Sequence, residues 1–337
     1  MRILVTGGAG YVGSVSVERL VEAGHVVTVL DDLSTGHVWA DLSGARLETG
    51  SCGDQGLVTT LLRDDGIDAV LHCAARSLIA ESMADPALYY RNNVVGGIGL
   101  LEAMREAGVR RLVISSTAAV YGAPESTPIA EDAPLRPINV YGETKRTIEA
   151  AAAWYGTTYG LRTVSLRYFN VAGASTRNGE VHEPEAHLIP NILAAAAGER
   201  PLTLFGDDYP TRDGSPIRDY IHVEDLGDAH VAAVLATDPA DPRTDQMLVC
   251  NLGSGRGFSN REVLAAAEQV VGHSIPYADG PRRPGDPPVL VAAIERAAKV
   301  LGWRPRRSSL EEMIGSAWAW RQARQPGEVD AGRSLPA

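Results

Sequence analysis

The stretch TGGAGYVGS, residues 6–14, decides the fold class of this 337-residue chain. Three of its four glycines, Gly7, Gly10 and Gly13, have the spacing G-x-x-G-x-x-G and stand between the apolar run RILVTG and a segment, 14–23, that has the periodicity of an amphipathic helix. Glycines at such a junction allow a tight turn and let a diphosphate approach the N-terminus of the helix. The stretch therefore predicts a dinucleotide-binding loop. The predicted cofactor contacts within it are Gly7, Gly10, Tyr11, Val12 and Gly13.

An acid at the end of the second apolar run indicates which dinucleotide binds. Asp31 closes the run VTVLD, 18 residues after Gly13. A carboxylate at this place accepts hydrogen bonds from a ribose diol and repels a 2′-phosphate. Asp32 adds negative charge and no arginine follows closely, so we predict NAD rather than NADP as the cofactor. The alternative is that Asp31 is a helix cap or an ordinary loop acid.

Short apolar runs alternate with helical segments through the first half of the chain. This alternation predicts an α/β protein with a Rossmann-type, doubly wound parallel sheet that helices cover on both faces. We assign residues 1–170 to an NAD-binding domain and 171–323, which is rich in Pro- and Gly-containing loops, mainly to a smaller α/β domain that binds the substrate. Residues 219–235 have the pattern of a strand and a helix and are expected to rejoin the first sheet. Residues 324–337 form a polar tail.

The composition argues against several classes of protein. A formal net charge of −11 disfavours nucleic acid and anionic membranes as partners. The chain has no uncharged apolar run of about 18 residues, and its N-terminus has no hydrophobic signal segment, so we expect a cytoplasmic protein without a membrane partner. Cys52, Cys73 and Cys250 lie far apart in the sequence and are expected to be reduced.

The stretch HEPEAH, residues 182–187, has the composition of a metal site. Its two histidines are five residues apart and Pro184 interrupts any helix, unlike the H-E-x-x-H arrangement of zinc enzymes. We therefore predict no metal site.

The stretch VYGETK, residues 140–145, places a phenol and an ammonium group one helical turn apart. Residues four apart share a helix face, with Cβ atoms about 5–6 Å from each other. At an effective dielectric near 20, Lys145 is expected to lower the pKa of Tyr141 by roughly two units, which favours a general base. The alternative is a surface tyrosine beside a solvated lysine.

Nine motifs follow one another between residue 1 and about residue 323: TGGAGYVGS, LHCAA, YYRNNVVGG, SSTAAVYG, YGETK, LRYFNVAGA, FGDDYPTRDG, RDYIHVEDL and PRRPGD. Together they resemble the UDP-glucose 4-epimerases, also called UDP-galactose 4-epimerases, of the extended short-chain dehydrogenase/reductase superfamily. The resemblance implies an NAD-dependent isomerase that interconverts UDP-glucose and UDP-galactose. It implies oxidation at C4, rotation of the 4-keto sugar and reduction of its opposite face.

The resemblance also implies the catalytic residues. Tyr141 is the implied base. Lys145 is implied to bind the nicotinamide ribose and to lower the pKa of the tyrosine, and Thr117 is implied to relay hydrogen bonding to the sugar O4. Thr117 comes just after the predicted strand RRLVISS, at the carboxyl edge of a parallel sheet, where ligands bind. The alternative for Thr117 is a β-branched residue at a strand end.

Further binding residues follow from the same resemblance. Asn92 and Tyr168 are implied to line the cofactor or sugar side of the site. The implied contacts with the nucleotide sugar are Arg218 and Arg283 at the UDP diphosphate, Asn170 near the diphosphate, Asp286 at a ribose hydroxyl, and His187 and Leu188 at the nucleotide. For each arginine the alternative is a solvated loop charge.

Several positions depart from the commonest pattern of that family. Ser77, beside Arg76, stands where a lysine often contacts NAD, and Ser51 stands where an aspartate commonly meets adenine, so the adenine contacts stay open. His187 replaces a common asparagine. Leu290 replaces a bulky aromatic residue near the sugar, which suggests that an N-acetylated hexose fits.

Several related functions would use many of the same motifs. A UDP-glucuronate or UDP-N-acetylhexosamine 4-epimerase would use the same C4 chemistry and stays an alternative, as does a non-catalytic regulator that binds NAD. The set Thr117, Tyr141 and Lys145 speaks against the regulator. A 4,6-dehydratase is disfavoured, because Ala118 and Ala119 stand where an Asp-Glu pair typically follows the threonine.

The oligomeric state is predicted from the resemblance alone. It suggests a homodimer in which the helices predicted around 92–107 and 142–155 form a four-helix interface with a second copy.

Overall fold

The computed structural model describes residues 1–241, 246–283 and 285–324. Of the predicted tail, 324–337, all but residue 324 lies outside these ranges. The strands are β1 (Arg2–Thr6), β2 (Val26–Asp31), β3 (Arg46–Thr49), β4 (Ala69–His72), β5 (Arg111–Thr117), β6 (Arg162–Tyr168), β7 (Asn170–Ala172), β8 (Leu202–Phe205), β9 (Ile217–His222), β10 (Met247–Leu252), β11 (Gly257–Ser259), β12 (Tyr277–Gly280) and β13 (Val289–Leu290).

The helices connect these strands and cover them. They are α1 (Tyr11–Glu22), α2 (Gln55–Asp64), α3 (Ile79–Ala84), α4 (Pro86–Tyr89), α5 (Gly96–Ala107), α6 (Val140–Tyr159), α7 (Leu188–Ala196), α8 (Val223–Ala236), α9 (Asn260–Val271), α10 (Glu295–Val300) and α11 (Leu310–Ala323). A π-helical turn, Tyr90–Val95, leads into α5, and a 3₁₀ turn, Ala118–Tyr121, follows β5.

The largest sheet of the described residues is parallel and has the strand order β10-β6-β5-β4-β1-β2-β3. From β1 the chain winds outward through β2 and β3 and then returns to the other side at β4. The order of strands therefore reverses between β1 and β4, where α/β proteins of this kind bind ligands beyond the carboxyl ends of the strands. The predicted Rossmann-type, doubly wound α/β fold is confirmed.

Burial on both faces explains why these strands read as continuous apolar runs. Along β1, Ile3 and Val5 pack with α1 and α8, whereas Leu4 between them packs with α2, α5 and α6. All three side chains are buried. Alternate residues of one strand thus supply two different cores.

The smaller part of the chain has its own sheet and core. Strands β11, β9 and β13 are neighbours, β7 also pairs with β9, and β8 pairs with β12. Helices α7, α9 and α11 cover a third apolar core, which includes Ile192, Val263 and Met313. This α/β unit corresponds to the predicted smaller C-terminal domain.

The expectation that residues 219–235 rejoin the first sheet is right for the helix and wrong for the strand. Helix α8 packs against α1 in the core of the seven-stranded sheet. Strand β9 instead pairs with β7, β11 and β13. The edge of the large sheet beside β6 is already taken by β10.

A buried ion pair fixes α6 to β6. Arg167 Nη2 lies 2.6 Å from Glu149 Oε2, and both side chains are only 5% exposed. Ser165 Oγ donates to the same carboxylate at 2.7 Å, and Arg167 Nη1 donates to the Tyr121 hydroxyl at 3.0 Å. Every charged atom of the pair therefore has a partner, which burial of charge requires.

We expect Glu149→Gln to lower the free energy of unfolding by about 3–5 kcal/mol, because it leaves the Arg167 guanidinium buried without its counter-charge. Urea denaturation measures the loss. Glu125→Gln is the matched control: its partner Arg136 lies 2.8 Å away, but these two side chains are 76% and 69% exposed. The control should lose less than about 1 kcal/mol. Equal losses in the two variants would contradict the structural role of the buried pair.

Candidate active site

The glycine-rich loop between β1 and α1 packs so closely against neighbouring backbone that two of its positions have no space for a side chain. Gly7 has φ +73°, and a Cβ atom there would lie 2.5 Å from the backbone nitrogen of Ala74. A Cβ atom at Gly13 would lie 2.0 Å from the Gly7 carbonyl oxygen. Gly10 is the N-cap of α1, so no capping side chain covers the first-turn N–H groups. These N–H groups can bind a diphosphate.

Asp31 ends β2 next to this loop. Its Oδ2 accepts a hydrogen bond from the Ala9 N–H at 2.9 Å, and its Oδ1 accepts one from the Leu33 N–H at 2.9 Å. Burial raises the pKa of this carboxyl group, although both hydrogen bonds oppose the shift. Asp31 thus orders the neighbouring loops, as the alternative of an ordinary loop acid predicted. Each carboxylate oxygen also retains a lone pair that a ribose hydroxyl can use. The ribose contact stays a prediction.

The three predicted catalytic residues meet at the carboxyl end of β5. Thr117 is the last residue of β5 and hydrogen-bonds to the Tyr141 hydroxyl. Tyr141 lies in the first turn of α6, which the Asn139 side chain caps. Lys145 follows one turn later, and its Nζ donates to the Ser115 carbonyl oxygen at 2.8 Å. All three of these side chains are buried, which excludes the interpretation of a surface tyrosine beside a solvated lysine.

The expected lowering of the Tyr141 pKa is wrong for the protein without cofactor. Burial raises the pKa of Tyr141 to about 12 and outweighs the opposing hydrogen bond with Thr117. Burial likewise lowers the pKa of Lys145 to about 8. The Lys145 ammonium is directed at the Ser115 carbonyl, so the phenol receives little of its charge. The four-residue spacing predicted that Tyr141 and Lys145 share a helix face. It did not predict how strongly removal from water shifts their pKa values.

Sequence reasoning missed a buried polar chain behind Lys145. Ser115 Oγ lies 2.9 Å from His230 Nε2, and His230 Nδ1 lies 3.1 Å from Ser16 Oγ. The Tyr168 hydroxyl also hydrogen-bonds to Ser115. Burial lowers the pKa of His230 to about 3, so this imidazole is neutral. A single histidine within the apolar helix segment DAHVAAVL was the signal that could have indicated it.

Two of the positions that depart from the family pattern, Ser51 and Ser77, lie near the π-helical turn. A cavity of about 310 Å³ there is lined by Ser51, Gly53, Leu88, Arg91, Asn92, Val95 and Gly96. Arg76 Nη1 forms an ion pair with Glu81 at 3.1 Å, so its charge is already matched, and Ser77 is exposed. The structure thus brings Asn92 and Ser51 together.

The predicted nucleotide-sugar residues are distributed over the smaller sheet. Arg218 on β9 is buried and forms an ion pair with Asp286, which excludes the solvated-loop alternative for this arginine. The exposed Arg283 guanidinium stacks on the Phe205 ring at 4.5 Å. Asn170 hydrogen-bonds to Tyr220, its partner in the pairing of β7 with β9.

Two further predicted nucleotide residues lie at the start of α7. His187 is the N-cap of α7, and Leu188 is its first residue. The contacts of all these residues with a nucleotide sugar stay predictions.

Comparison with known proteins decides the family. The sequence model of the "NAD dependent epimerase/dehydratase family" matches residues 3–250. The chain belongs to this family. The resemblance to UDP-glucose 4-epimerases is confirmed by a UDP-glucose 4-epimerase from Lactobacillus helveticus, which is 50% identical over 98% of this chain and 100% of its own length.

Solved structures of family members agree. A UDP-glucose 4-epimerase from Brucella ovis in complex with NAD superposes with a TM-score of 0.90 at 43% identity, covering 94% of this chain and 97% of that one. The enzyme from Bifidobacterium longum in complex with NAD⁺ and UDP gives a TM-score of 0.90 at 34% identity, covering 96% of this chain and 98% of that one.

Among the described residues, no helix is both long and apolar enough to cross a membrane.

The lowered pKa of Lys145 predicts a pH-dependent stability of the cofactor-free protein. In an unfolded chain a lysine titrates near pH 10.4, whereas folded Lys145 titrates near pH 8. Between these values the folded chain binds fewer protons, so the free energy of unfolding of the wild type should rise with pH relative to Lys145→Met, by up to about 3 kcal/mol.

Urea denaturation from pH 7.5 to 10.5 measures this difference. Lys299→Met removes an exposed lysine of α10 and should keep the wild-type pH dependence. A pH-independent difference between the wild type and Lys145→Met would contradict the burial of a charged lysine.

Proposed function

We propose that this protein is an NAD-dependent UDP-glucose 4-epimerase, which interconverts UDP-glucose and UDP-galactose. The observation that carries the proposal is the convergence of Thr117, Tyr141 and Lys145 at the carboxyl edge of the sheet. This edge also holds the glycine-rich loop. Relatives at up to 50% identity over nearly the whole chain support the same function.

The residues of the loop fit NAD. A Cβ atom at Gly7 or Gly13 would collide with backbone, so both positions need glycine for the tight turn that leads into α1. When bound, NAD would supply an acceptor and donor of hydride for C4 of the sugar and a positive charge that would lower the pKa of a neighbouring phenol. The residues that would hold it are Gly7, Gly10, Tyr11, Val12, Gly13, Asp31, Asn92, Lys145 and Tyr168.

Tyr141 moves the proton. Its phenol oxygen accepts the O4 proton of the sugar in the oxidation and returns it in the reduction. At a pKa of about 12 the phenol of the cofactor-free protein stays protonated near neutral pH, so a positive charge nearby is required before it acts as the base. The bound nicotinamide would supply this charge, Lys145 would hold the nicotinamide ribose, and Thr117 holds the Tyr141 hydroxyl in place.

The nucleotide end must be held more firmly than the hexose, because the 4-keto sugar has to turn over between the two half-reactions. Arg218 and Arg283 suit the diphosphate, since a guanidinium group binds such oxygens through two parallel hydrogen bonds. Asn170, His187 and Leu188 complete this end, and Asp286, the ion-pair partner of Arg218, accepts from a ribose hydroxyl.

A UDP-N-acetylhexosamine is the second candidate substrate. Leu290 pairs with Arg218 in the register of β13 with β9, and its side chain is half-buried. A leucine at this place occupies less volume than the aromatic residue common in the family. The larger space favours acceptance of an N-acetyl group.

We further propose a homodimer in the cytoplasm. Trp154 and Tyr159 on α6 and Val95 just before α5 are large apolar side chains with exposed fractions of 71%, 46% and 65%. Exposed apolar side chains on neighbouring helices are typical of a surface that another protein covers. A second copy of the chain would pair its α5 and α6 with these.

The proposed activity is tested by NMR of the purified protein given UDP-galactose, and separately UDP-glucuronate or UDP-N-acetylglucosamine. We expect UDP-galactose to be converted to UDP-glucose. Tyr141→Phe should slow this conversion by about 10²–10⁴-fold, because it removes the group that transfers the proton. Tyr277→Phe, at an exposed tyrosine of β12, is the control and should leave the rate unchanged. If no UDP-sugar reacts even with added NAD, a non-catalytic NAD-binding protein becomes the better interpretation.

A further inference from the structure

Four side chains with metal-binding atoms converge in the segment between β7 and α7. They are Glu180, His182, Glu185 and His187, and one ligand atom from each lies within 4.8 Å of all the others. His187 Nδ1 is 2.7 Å from Glu180 Oε1 and 2.8 Å from Glu185 Oε1. His182 Nδ1 is 3.1 Å from Glu180 Oε1. We call these four residues the His–Glu cluster.

Burial of the two glutamates makes their negative charges in the His–Glu cluster costly unless positive charge lies close by. The side chains of Glu180 and Glu185 are only 8% and 7% exposed. Two carboxylates removed from water need positive charge close by. Two protonated imidazoles would supply it, but their ring centroids are only 5.1 Å apart and like charges at this distance repel. A single divalent cation between the four ligand atoms balances both carboxylates without that repulsion.

The local chain conformation explains why the motif HEPEAH does not need a helix to form this arrangement. Pro184 interrupts regular structure, and the segment is irregular up to the start of α7. An irregular segment can direct ligands at spacings of two, three and two residues towards one point. The five-residue spacing of the two histidines is incompatible with a helical H-E-x-x-H site but is compatible with a metal site in a loop.

We propose that the His–Glu cluster binds one divalent transition-metal ion, with zinc as the best match. Two imidazole nitrogens and two carboxylate oxygens form a four-ligand set that suits Zn²⁺, whereas Mg²⁺ and Ca²⁺ prefer oxygen ligands alone. His187 is partly exposed, with 45% of its side chain accessible, so the ion can enter from solvent.

The ion would order the edge of the site where the nucleotide is proposed to bind. His187 is the N-cap of α7, and its backbone carbonyl accepts from the Asn191 N–H at 3.2 Å. Fixing its imidazole therefore fixes the first turn of α7, including Leu188. This consequence for nucleotide binding rests on the proposed function, whereas the metal site itself does not.

Metal binding is measured on the purified full-length protein after chelator treatment and dialysis. Titration with Zn²⁺, followed by calorimetry and elemental analysis, should give one ion per chain. Co²⁺ in place of Zn²⁺ should give the wild-type protein the intense visible absorption of a tetrahedral site. This absorption reports the coordination geometry. UDP binding to the zinc-free and zinc-loaded protein is measured separately, and zinc should strengthen it.

Two variants test the assignment of the ligands. His182→Ala should weaken Zn²⁺ binding by more than about 100-fold, because even partners in the second shell of a metal site typically contribute 10–100-fold. His273→Gln, at an exposed histidine after α9, is the matched control and should bind Zn²⁺ like the wild type.

Absence of stoichiometric Zn²⁺ binding in the wild type would overturn the site and would indicate that protons alone neutralise the cluster. Equal binding by His182→Ala and the wild type would overturn the ligand assignment. UDP affinity that is the same with and without zinc would overturn only the coupling to the nucleotide edge. Because none of these readouts uses turnover, failure of the metal site is distinguishable from failure of the proposed epimerase activity.

Discussion

The contact on which the site depends is the close approach of two backbone segments at the point where the strand order reverses. The loop after β1 passes so near the chain after β4 that a Cβ atom at Gly7 would lie 2.5 Å from the Ala74 nitrogen. The Gly7 N–H donates to the Leu30 carbonyl at 2.8 Å, and the Cys73 N–H donates to the Thr6 carbonyl at 2.9 Å. These contacts place the open N-terminus of α1 beside the carboxyl ends of β4 and β5. The glycine-rich loop and the proposed catalytic residues consequently share one edge of the sheet.

Helix α6 buries two charged side chains, and this burial shifts the pKa values in the site. Helix α6 carries both Lys145, which reaches into the site, and Glu149, which pairs with Arg167 beneath it. The same burial that makes the Arg167 pair structurally important raises the pKa of Tyr141 and lowers that of Lys145. The protein without cofactor therefore holds a protonated phenol beside a lysine that releases its proton easily. The positive charge that activates the phenol has to come with the bound cofactor.

Local patterns in the sequence predicted the parts of the fold that local forces determine. The glycine spacing, the apolar runs of β1 and β2, and the four-residue spacing of Tyr141 and Lys145 were sufficient for the Rossmann sheet and the shared helix face. Contacts between distant segments were not accessible in this way. The pairing of β9 with β7 rather than with the large sheet depends on β10 occupying the edge beside β6. The His230 chain behind Lys145 and the pKa of Tyr141 likewise depend on burial by segments far apart in the sequence.

In the proposed reaction, hydrogen leaves C4 of the sugar and returns to the same carbon within one closed site. This transfer is tested most directly with UDP-galactose that carries deuterium at C4, incubated with the protein in ordinary water without added cofactor. We expect UDP-glucose that keeps the deuterium at C4, because the hydrogen is carried as hydride and never exchanges with solvent. Product in which C4 carries hydrogen from water would rule out hydride transfer at C4, since the original hydrogen would have to leave as a proton.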